Sequence, residues 1–534
     1  MPARHVDRVS LHVDGELIEV PGDDVSLLEV LRDRLGKKTP KDGCSPQGQC
    51  GCCTVWVDGS TRVACVTSVR RVAGRHVTTL DGIDPEVRAT WTAAFSDLGA
   101  SQCGFCTPGI IMRLAALDSA RLGDETAVGR ALLAHLCRCT GWKTIVEAAA
   151  AVSTSVSGST RRDLASAARR ASIESGGPQL VGPQVAAGGG GFADDTAPAG
   201  ALVAVPDGRG GYAVAETLHE ARAAAGKVQG RRSTAALRHP VEVPAGAWAL
   251  TLATTFVEPA YLEPDASWCE PGGEPAGPLA NGGAFGGKLA SQAPAAARRL
   301  ADEHGRCVRV VFSREDVVRL GPKRPPIAAG LRVDGTGIVR VARPPGSSPL
   351  AAWVEAVRSV LPGVDVEEVA VPGPPVSGAL RGAGWVEASV LAAALDARRS
   401  GATGPGHVVE MRSPAGARGR AALSADGSVH LTVAGGQVLD EVVLRSYALG
   451  AVHQALGWVR AEGIAVDDHG EVLDLTIRSF GVLSARDTPS VQVVVEDDPG
   501  PAVPVGDTVL AAVAAAAWTA AGLPGRWPTQ GGGG

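Results

Sequence analysis

Eight of the eleven cysteines in this 534-residue chain fall into two groups of four, both in the first quarter or so of the sequence. The first group is Cys44, Cys50, Cys53 and Cys65, and the second is Cys103, Cys106, Cys137 and Cys139. Cysteines at such short spacings, in a chain without a visible export signal, favour metal ligation over a disulfide framework. Each group predicts four thiolates that converge on one site, and this strongly constrains the fold of the first 140 residues.

The spacing within each group indicates which metal chemistry to expect. The first group is close to a Cys-x4-Cys-x2-Cys arrangement with a distant fourth cysteine, which is typical of plant-type [2Fe–2S] ferredoxins. The second group combines Cys-x2-Cys with Cys-x-Cys, a spacing that a structural zinc site could also use. Two groups in this order, embedded in glycine-rich sequence, favour two [2Fe–2S] clusters over zinc.

Composition and charge exclude several classes of protein. With 45% hydrophobic and 20% charged residues, the chain has the makeup of a folded protein. A formal net charge of −5 gives no reason to expect a nucleic acid or an anionic membrane as partner. The N-terminus shows no apolar leader, and the longest charge-free apolar run, Thr508–Leu523, is shorter than the ~20 residues that span a bilayer. We expect a soluble cytoplasmic protein without a membrane span.

The cysteine-rich part divides into two predicted domains. Residues 1–82 alternate apolar and polar residues around an Asp14-Gly15 hairpin turn, and a helix capped by Ser26 precedes the cysteine loop. This order is typical of a β-grasp ferredoxin domain. Residues 83–152 change to helical periodicity and predict a four-helix domain. Its helices are expected at Pro85–Leu98, Pro108–Leu122, Glu125–Leu136 and Lys143–Val152.

The rest of the chain is less regular. Residues 153–191 are rich in Ser, Arg, Ala and Gly and predict a linker. Residues 192–530 mix glycine-rich loops with strand-like segments and alanine-rich helices, so the whole chain is expected to be α+β and multidomain.

The first 150 residues resemble the iron–sulfur part of the molybdenum hydroxylase family, which includes xanthine dehydrogenases and aldehyde oxidoreductases. The resemblance implies a plant-type [2Fe–2S] domain followed by a helical [2Fe–2S] domain, with the eight cysteines above as ligands. It also implies that Gln102, just before Cys103, contacts the pterin of a molybdenum cofactor. Cys52 is an additional thiol next to Cys53, so either could be the third ligand of the first cluster. The frame Cys-Gly-x-Cys-Thr-Val favours Cys53.

Residues 192–530 resemble, more faintly, the large molybdopterin-binding subunit of the same family. The stretch Phe256-Val-Glu-Pro-Ala-Tyr-Leu-Glu-Pro matches a family motif, and Gly282-Gly-Ala-Phe-Gly-Gly-Lys288 is similar to a loop that approaches the molybdenum centre. Leu380-Arg-Gly-Ala-Gly384 is similar to the family's Arg-Gly-x-Gly loop. The resemblance therefore implies cofactor contacts at Gly283, Ala284, Phe285 and Arg381. This half is shortened and degenerate, because several family segments have no counterpart in it.

The catalytic base of the family is in doubt in this chain. The family uses a glutamate in a Gly-x-Gly-Glu stretch, and an ungapped comparison places Val503 at that position. Asp507, four residues later, is the alternative base, but its shorter side chain would have to reach the same proton. We therefore assign no firm catalytic residue.

The resemblance implies an electron-transfer component of a multi-subunit molybdenum hydroxylase. Two [2Fe–2S] clusters would pass electrons from a molybdopterin centre, bound by or shared with a full-length catalytic subunit, to FAD on another subunit or to another acceptor. No Gly-x-Gly-x-x-Gly motif follows a clear strand, so flavin is not expected on this chain. Two alternatives remain open: a self-contained hydroxylase of N-heterocycles or aldehydes, and a non-catalytic assembly or scaffold protein.

Overall fold

The computed structural model describes residues 8–154, 162–226, 230, 236–277 and 283–530. The expectation about an N-terminal leader concerns residues that lie outside the described ones, as does the glycine run at 531–534. Within the described ranges, no helix is both long and apolar enough to cross a lipid bilayer.

The first cysteine group is carried by a five-stranded sheet. Its elements are β1 (Arg8–Val13), β2 (Glu16–Pro21), α1 (Leu27–Glu29, continued by a π-helical turn over Val30–Arg34), β3 (Thr54–Val57), β4 (Ser60–Val63) and β5 (His76–Thr78). The strand order is β2-β1-β5-β3-β4, with β1 and β5 parallel and the other neighbours antiparallel. On β1, Val9, Leu11 and Val13 are buried and the residues between them are exposed or half-exposed, as a period of two requires. The predicted β-grasp fold is confirmed.

The second cysteine group lies in a helical region. Its helices are α2 (Pro85–Asp97), α3 (Thr107–Leu114), α4 (Ser119–Leu122), α5 (Glu125–Ala131) and α6 (Lys143–Ser153). The first and last predicted helices agree with the structure to within a residue. The second is broken after Leu114, because the side chain of Asp118 accepts the backbone N–H of Arg121 and starts a new helix. The third ends before Leu136 in a 3₁₀ turn.

The segment predicted as a linker contains two helices, α7 (Leu164–Ser175) and α8 (Pro183–Ala186). Asp163 caps the start of α7, and Gly176 ends it in the left-handed conformation. Ala167 and Ala171 of this helix are buried in one cluster with Val443 and Tyr447. The segment predicted as a linker therefore contains ordered helix, because small alanines let α7 pack closely against the second half of the chain. Its boundaries as a linker stay a prediction.

A small sheet opens the second half. The helices and strands of this part of the chain are α9 (Ala193–Thr196), β6 (Leu202–Pro206), β7 (Tyr212–Ala215), α10 (Leu218–Ala225), β8 (Leu250–Ala253), β9 (Ala266–Cys269), α11 (Ala293–His304), β10 (Val308–Val311) and α12 (Arg314–Leu320). The strand order is β7-β6-β10-β9, and only β6 and β10 run parallel. Strand β8 belongs to the next sheet.

Two further sheets repeat one topology. Their elements are β11 (Ile327–Leu331), β12 (Gly337–Ala342), α13 (Ala351–Val360), β13 (Val364–Val369), α14 (Trp385–Ser400), β14 (Val409–Arg412), β15 (Arg418–Leu423), β16 (Val429–Ala434), α15 (Glu441–Arg460), β17 (Val491–Glu496) and α16 (Gly506–Ala520). The strand orders are β13-β12-β11-β8 and β14-β15-β16-β17. In each sheet an antiparallel pair is followed by a helix, a parallel strand and a second helix.

The two halves of the chain share one hydrophobic core. The core around both cysteine groups includes Phe256, Ile464 and Phe480 from the second half. Helix α15 contributes to a second core, where it packs with the apolar helix α16. The cysteine-rich regions are therefore held against the second half by continuous packing.

Candidate metal-cluster site

The first thiol quartet is formed mainly by the loop between α1 and β3. Cys44, Cys50 and Cys53 lie on this loop, Cys65 follows β4, and none is more than 4% exposed. The thiols of Cys44 and Cys50, Cys44 and Cys65, and Cys53 and Cys65 are within hydrogen-bonding reach of each other. The loop thus brings four sulfur atoms of the predicted set together in a buried space.

Backbone amides point at these sulfurs. The N–H groups of Gln47 and Gln49 donate to Cys44 Sγ at 3.3 and 3.4 Å, and that of Cys65 donates to Cys53 Sγ at 3.4 Å. Hydrogen bonds from the thiols of Cys50 and Cys65 hold the pKa of Cys44 well below its usual range. Backbone N–H donors and hydrogen bonds from neighbouring thiols stabilise the thiolate, the form that binds metal.

Cys52 lies at the edge of this quartet. Its Sγ is 3.8 Å from the carbonyl oxygen of Cys50, and its thiol is within reach of the Cys50 thiol. The thiol of Cys53, in contrast, is within hydrogen-bonding reach of the Cys65 thiol. This arrangement supports Cys53 as the third ligand, which stays a prediction.

The second thiol quartet lies where two helices begin. Cys103 and Cys106 precede the body of α3, Cys137 and Cys139 precede α6, and all four are buried. The Sγ atoms of Cys103 and Cys139 are 3.9 Å apart, and the Cys137 thiol is within reach of those of Cys106 and Cys139. The hydroxyl of Thr140 lies 3.2 Å from Cys137 Sγ. Hydrogen bonds from Cys106 and Cys139 hold the pKa of Cys137 well below its usual range.

The donor chemistry of both quartets fits a two-iron cluster. Within the described residues, no group of three or more His, Cys, Asp or Glu side chains is placed to hold a single metal ion. A [2Fe–2S] cluster takes its four thiolates as two pairs, one pair on each iron. Eight buried thiols in two separate quartets match that requirement.

A direct backbone contact joins the two quartets. The N–H of Leu136, the neighbour of Cys137, donates to the carbonyl oxygen of Cys50 at 3.0 Å. A second close approach lies beside it, where α3 packs on the first loop: a Cβ on Gly109 would lie 2.3 Å from the carbonyl oxygen of Gly51. Cys50 of the first quartet is therefore linked by one hydrogen bond to Leu136, which directly precedes Cys137 of the second quartet.

The residues expected to contact a pterin gather around Cys139. Gln102 Nε2 donates to the Cys139 carbonyl oxygen at 2.9 Å and to Ser446 Oγ at 3.0 Å. A Cβ on Gly283 would lie 3.3 Å from Cys139 Sγ, and a Cβ on Gly450 in α15 would lie 1.8 Å from the Cys139 oxygen. The side-chain amide of Gln102 thus donates its hydrogen bonds within the protein. Glycines allow the loop at Gly283 and helix α15 at Gly450 to approach Cys139 closely.

The remaining expected residues line a small cavity, here called the arginine cavity. It has a volume of about 30 Å³ and is lined by residues that include Arg138, Ala284, Phe285, Arg324, Arg381 and Gln454. The Arg381 guanidinium carbon lies 3.6 Å from the Phe285 ring centre, so these two predicted residues pack on each other. Pockets for drug-sized ligands measure about 300–1,000 Å³. The arginine cavity does not fit a molybdopterin group.

Arg138 and Arg324 are residues that the sequence reasoning missed. Arg138, between two predicted ligands, donates to both carboxylate oxygens of Glu462 at 2.5 and 2.8 Å. Arg324 lies 3.9 Å over the Trp458 ring, is 6% exposed, and has an Nε and an Nη1 without hydrogen-bond partners in the described part of the chain. Burial lowers the pKa of Arg324 to about 10. Arg138 could have been noticed as a charge inside a predicted cluster loop, whereas Arg324 carried no motif.

Asp507, the alternative base, lies at the start of α16. Its Oδ1 is 3.7 Å from Arg381 Nε, and its side chain is 57% exposed. The carboxylate therefore lies beside Arg381 rather than among the residues that line the arginine cavity. Its catalytic role stays a prediction.

Comparison with known proteins adds to this geometry. Residues 79–150 match a family described as a [2Fe-2S] binding domain. The chain is 38% identical over 135 residues to the xanthine dehydrogenase iron-sulfur-binding subunit of Escherichia coli O157:H7, a match that covers 24% of this chain and 82% of that protein. It is 40% identical over 144 residues to the aldehyde oxidoreductase of Megalodesulfovibrio gigas, covering 26% of this chain but 15% of that much longer relative.

A solved structure resembles the whole chain. The aldehyde oxidoreductase from Desulfovibrio desulfuricans superposes with a TM-score of 0.68, covering 97% of this chain and 99% of that chain at 15% identity. At this identity the likeness establishes the fold, which is the predicted α+β multidomain arrangement. Together these findings define an oxidoreductase component that contains a [2Fe–2S]-binding domain. The chain belongs to the molybdenum hydroxylase family, the family of xanthine dehydrogenases and aldehyde oxidoreductases.

Proposed function

We propose that this chain is the electron-transfer component of a multi-subunit molybdenum hydroxylase. Two [2Fe–2S] clusters, one in each thiol quartet, would carry electrons from a molybdopterin centre to a flavin subunit or another acceptor. The observation that carries this proposal is the pair of buried quartets joined through the 3.0 Å hydrogen bond from the Leu136 N–H to the Cys50 carbonyl. A relay requires two centres held close together and at a fixed distance, and this contact supports both.

The protein residues prepare each quartet for its cluster. Bound [2Fe–2S] clusters supply one-electron redox chemistry, at potentials set by hydrogen bonds to sulfur and by solvent exposure. The amides of Gln47 and Gln49 donate to Cys44 in the first quartet, and Thr140 lies against Cys137 in the second. These different donor sets give the two quartets different surroundings, which supports two distinct potentials along one relay.

The molybdopterin centre is assigned to a partner chain. The arginine cavity of about 30 Å³ leaves no room for it among Phe285, Arg381 and their neighbours, and Gln102 uses its amide donors within the protein. The partners proposed are a full-length molybdopterin-binding catalytic subunit together with an FAD subunit, so the working unit is a hetero-oligomer. Domain boundaries at 82, 152 and 191 remain part of this proposal.

A second candidate function is a self-contained molybdenum hydroxylase. It is favoured by the likeness of 97% of the chain to the fold of an aldehyde oxidoreductase. It requires the arginine cavity to open far beyond its present volume and a base such as Asp507 to turn inward. Stoichiometric molybdenum in the chain purified alone is the observation that would select this candidate.

The cluster assignment is tested by electron paramagnetic resonance on the reduced chain. We expect two distinct [2Fe–2S] signals in the unmodified protein. Cys65→Ser is expected to abolish the signal of the first quartet, and Cys139→Ser that of the second. Cys307→Ser is the matched control, because this partly exposed thiol belongs to neither quartet. Retention of both signals in both cluster variants, or a single signal in the unmodified chain, would overturn the assignment.

The partner assignment needs a separate experiment. The chain is purified under mild conditions from its source, and the companion chains are identified by mass spectrometry. A full-length molybdopterin-binding chain and an FAD-binding chain are the expected companions. A scaffold role is indicated instead if the complex forms but the two cluster signals do not change when a substrate of the companion is added.

A further inference from the structure

The arginine cavity has more buried positive charge in and around its lining than its ion pairs account for. Arg138 is paired with Glu462, and Lys323, the chain neighbour of Arg324, is paired with Glu258 at 2.8 Å. Arg381 lies near Asp507 at 3.7 Å. Arg324 is the fourth cation, and within the described ranges no carboxylate oxygen forms an ion pair with it. An unpaired buried charge is strongly unfavourable, so this site calls for an anion.

Glu387, the carboxylate whose charge acts most strongly on Arg324, is already engaged. Glu387 Oε2 accepts the indole N–H of Trp353 at 2.7 Å and the backbone N–H of Gly384 at 2.9 Å. Burial raises the pKa of Glu387 to about 7, so its charge is only partly present at neutral pH. Glu387 does not line the cavity. It therefore reduces the excess charge of Arg324 without supplying a contact to its free N–H groups.

The two arginines that carry free donors line the same space. Nε and Nη1 of Arg324 and Nη1 of Arg381 are buried without hydrogen-bond partners in the described residues, and both side chains line the cavity. Each guanidinium is held in place by an aromatic ring, Trp458 for Arg324 and Phe285 for Arg381. Two planar guanidinium groups that are held in place and carry free N–H groups match the geometry of a planar oxyanion.

The volume limits the size of the ligand. A water molecule needs roughly 10–15 Å³ of such space, so about 30 Å³ accommodates a ligand of about two or three non-hydrogen atoms. We propose that the arginine cavity binds one small monovalent planar oxyanion of the formate type, with three non-hydrogen atoms, held between Arg324 and Arg381. This site takes the place where the family resemblance implied a pterin, and it does not depend on the proposed electron-transfer function.

The test measures thermal unfolding of the full chain with added sodium formate. Ionic strength is kept constant with sodium gluconate, whose bulky anion cannot enter the cavity. For a ligand of three heavy atoms, a dissociation constant on the order of 1 mM is the tightest expected. Formate at about 50 mM should then raise the unfolding midpoint saturably, by about 2–4 °C. Carbon-13 formate, whose resonance should broaden on binding, gives a second readout.

Two variants and a control make the result specific. Arg324→Met removes the unpaired cation and should abolish the formate-dependent rise. Leu510→Phe, at a buried residue that lines the cavity, keeps both arginines but fills the space, and should weaken formate binding by about tenfold or more. Arg209→Met is the control, because the Arg209 side chain is 81% exposed on the surface. It should respond to formate as the unmodified chain does.

Several outcomes would overturn the proposal. These are the absence of a saturable rise in the unmodified chain, an equal rise in Arg324→Met, and an equal rise in Leu510→Phe. A saturable rise with chloride that equals the rise with formate would overturn the planar oxyanion as the ligand class. If Arg324→Met does not fold, Leu510→Phe and the formate resonance decide the question.

Discussion

Arg138 and Glu462 form a bidentate ion pair that joins the second cysteine loop to the C-terminal half of the chain. The pair is buried, with side-chain exposures of 6% and 1%, and its two N–O distances are 2.5 and 2.8 Å. Gly457 leaves room for it, because a Cβ there would lie 2.1 Å from Glu462 Oε1. The loop with two predicted ligands is thus anchored to the half of the chain that carries the arginine cavity.

Breaking this pair on one side should be costly. Arg138→Met leaves the Glu462 carboxylate buried and unpaired, which typically costs about 3–5 kcal/mol. We expect the free energy of unfolding, measured by urea titration and circular dichroism, to fall by that amount. The double variant Arg138→Met, Glu462→Leu removes both charges and should recover most of the loss. Equal destabilisation by the single and double variants would contradict this account.

Two helical glycines should respond in opposite ways to alanine. In α15, a Cβ on Gly450 would lie 1.8 Å from the Cys139 backbone oxygen, so Gly450→Ala must push the helix away from the second quartet. Overpacking of this kind costs about 1–3 kcal/mol. In α5, a Cβ on Gly129 would meet nothing closer than 3.7 Å, and Gly129→Ala should stabilise by about 0.5–1 kcal/mol. Urea titrations of both variants measure the change in the free energy of unfolding, which should be a decrease for Gly450→Ala and an increase for Gly129→Ala.

Glu387 should make stability depend on pH. Its pKa in the folded chain is raised to about 7 by burial, from 4.5 for an ordinary glutamate. Because the folded state holds this proton more tightly, its contribution to stability is complete below about pH 4.5 and is lost as the pH rises through 7. Glu387→Gln removes the titration. Relative to this variant, the unmodified chain should lose up to about 3 kcal/mol between pH 4.5 and 8. A difference that does not change with pH would contradict the assignment.

The choice between Cys52 and Cys53 can be settled with one pair of variants. Cys53 shares a contact with Cys65 across the quartet, whereas Cys52 lies on the Cys50 side. Cys53→Ala should therefore lower the iron content by about two atoms per chain and remove one resonance signal. Cys52→Ala should leave both the iron content and the signals unchanged. The reverse pattern would make Cys52 the ligand.

Local patterns were enough to predict the cysteine-rich regions. Strand alternation at Val9, Leu11 and Val13 and the short cysteine spacings depend only on neighbours in sequence, and the β-grasp sheet followed from them. The helix α7 was missed because its Ser, Arg and Ala composition is that of a linker until Ala167 and Ala171 meet Val443 and Tyr447. Tertiary packing, not local sequence, stabilises this helix.

The arginine cavity could not be predicted for a similar reason. Arg324 and Arg381 are 57 positions apart in a chain whose local sequence gives no sign that they face one space. Of the predicted loop, Gly283 lies next to Cys139, where a Cβ would be 3.3 Å from the Cys139 Sγ. The contact of this loop with a cofactor stays a prediction. What the sequence could not provide was the volume between these residues, which depends on how closely Phe285 and Arg381 pack.

The most direct test of the central claim is the metal content of the chain purified alone, without companion subunits. Iron and acid-labile sulfide are measured together with molybdenum on the same sample. We predict about four irons and about four sulfides per chain, as two [2Fe–2S] clusters require, and no stoichiometric molybdenum. One molybdenum per chain would contradict the account, because it would place the hydroxylase centre inside the chain whose cavity is here assigned to a small anion.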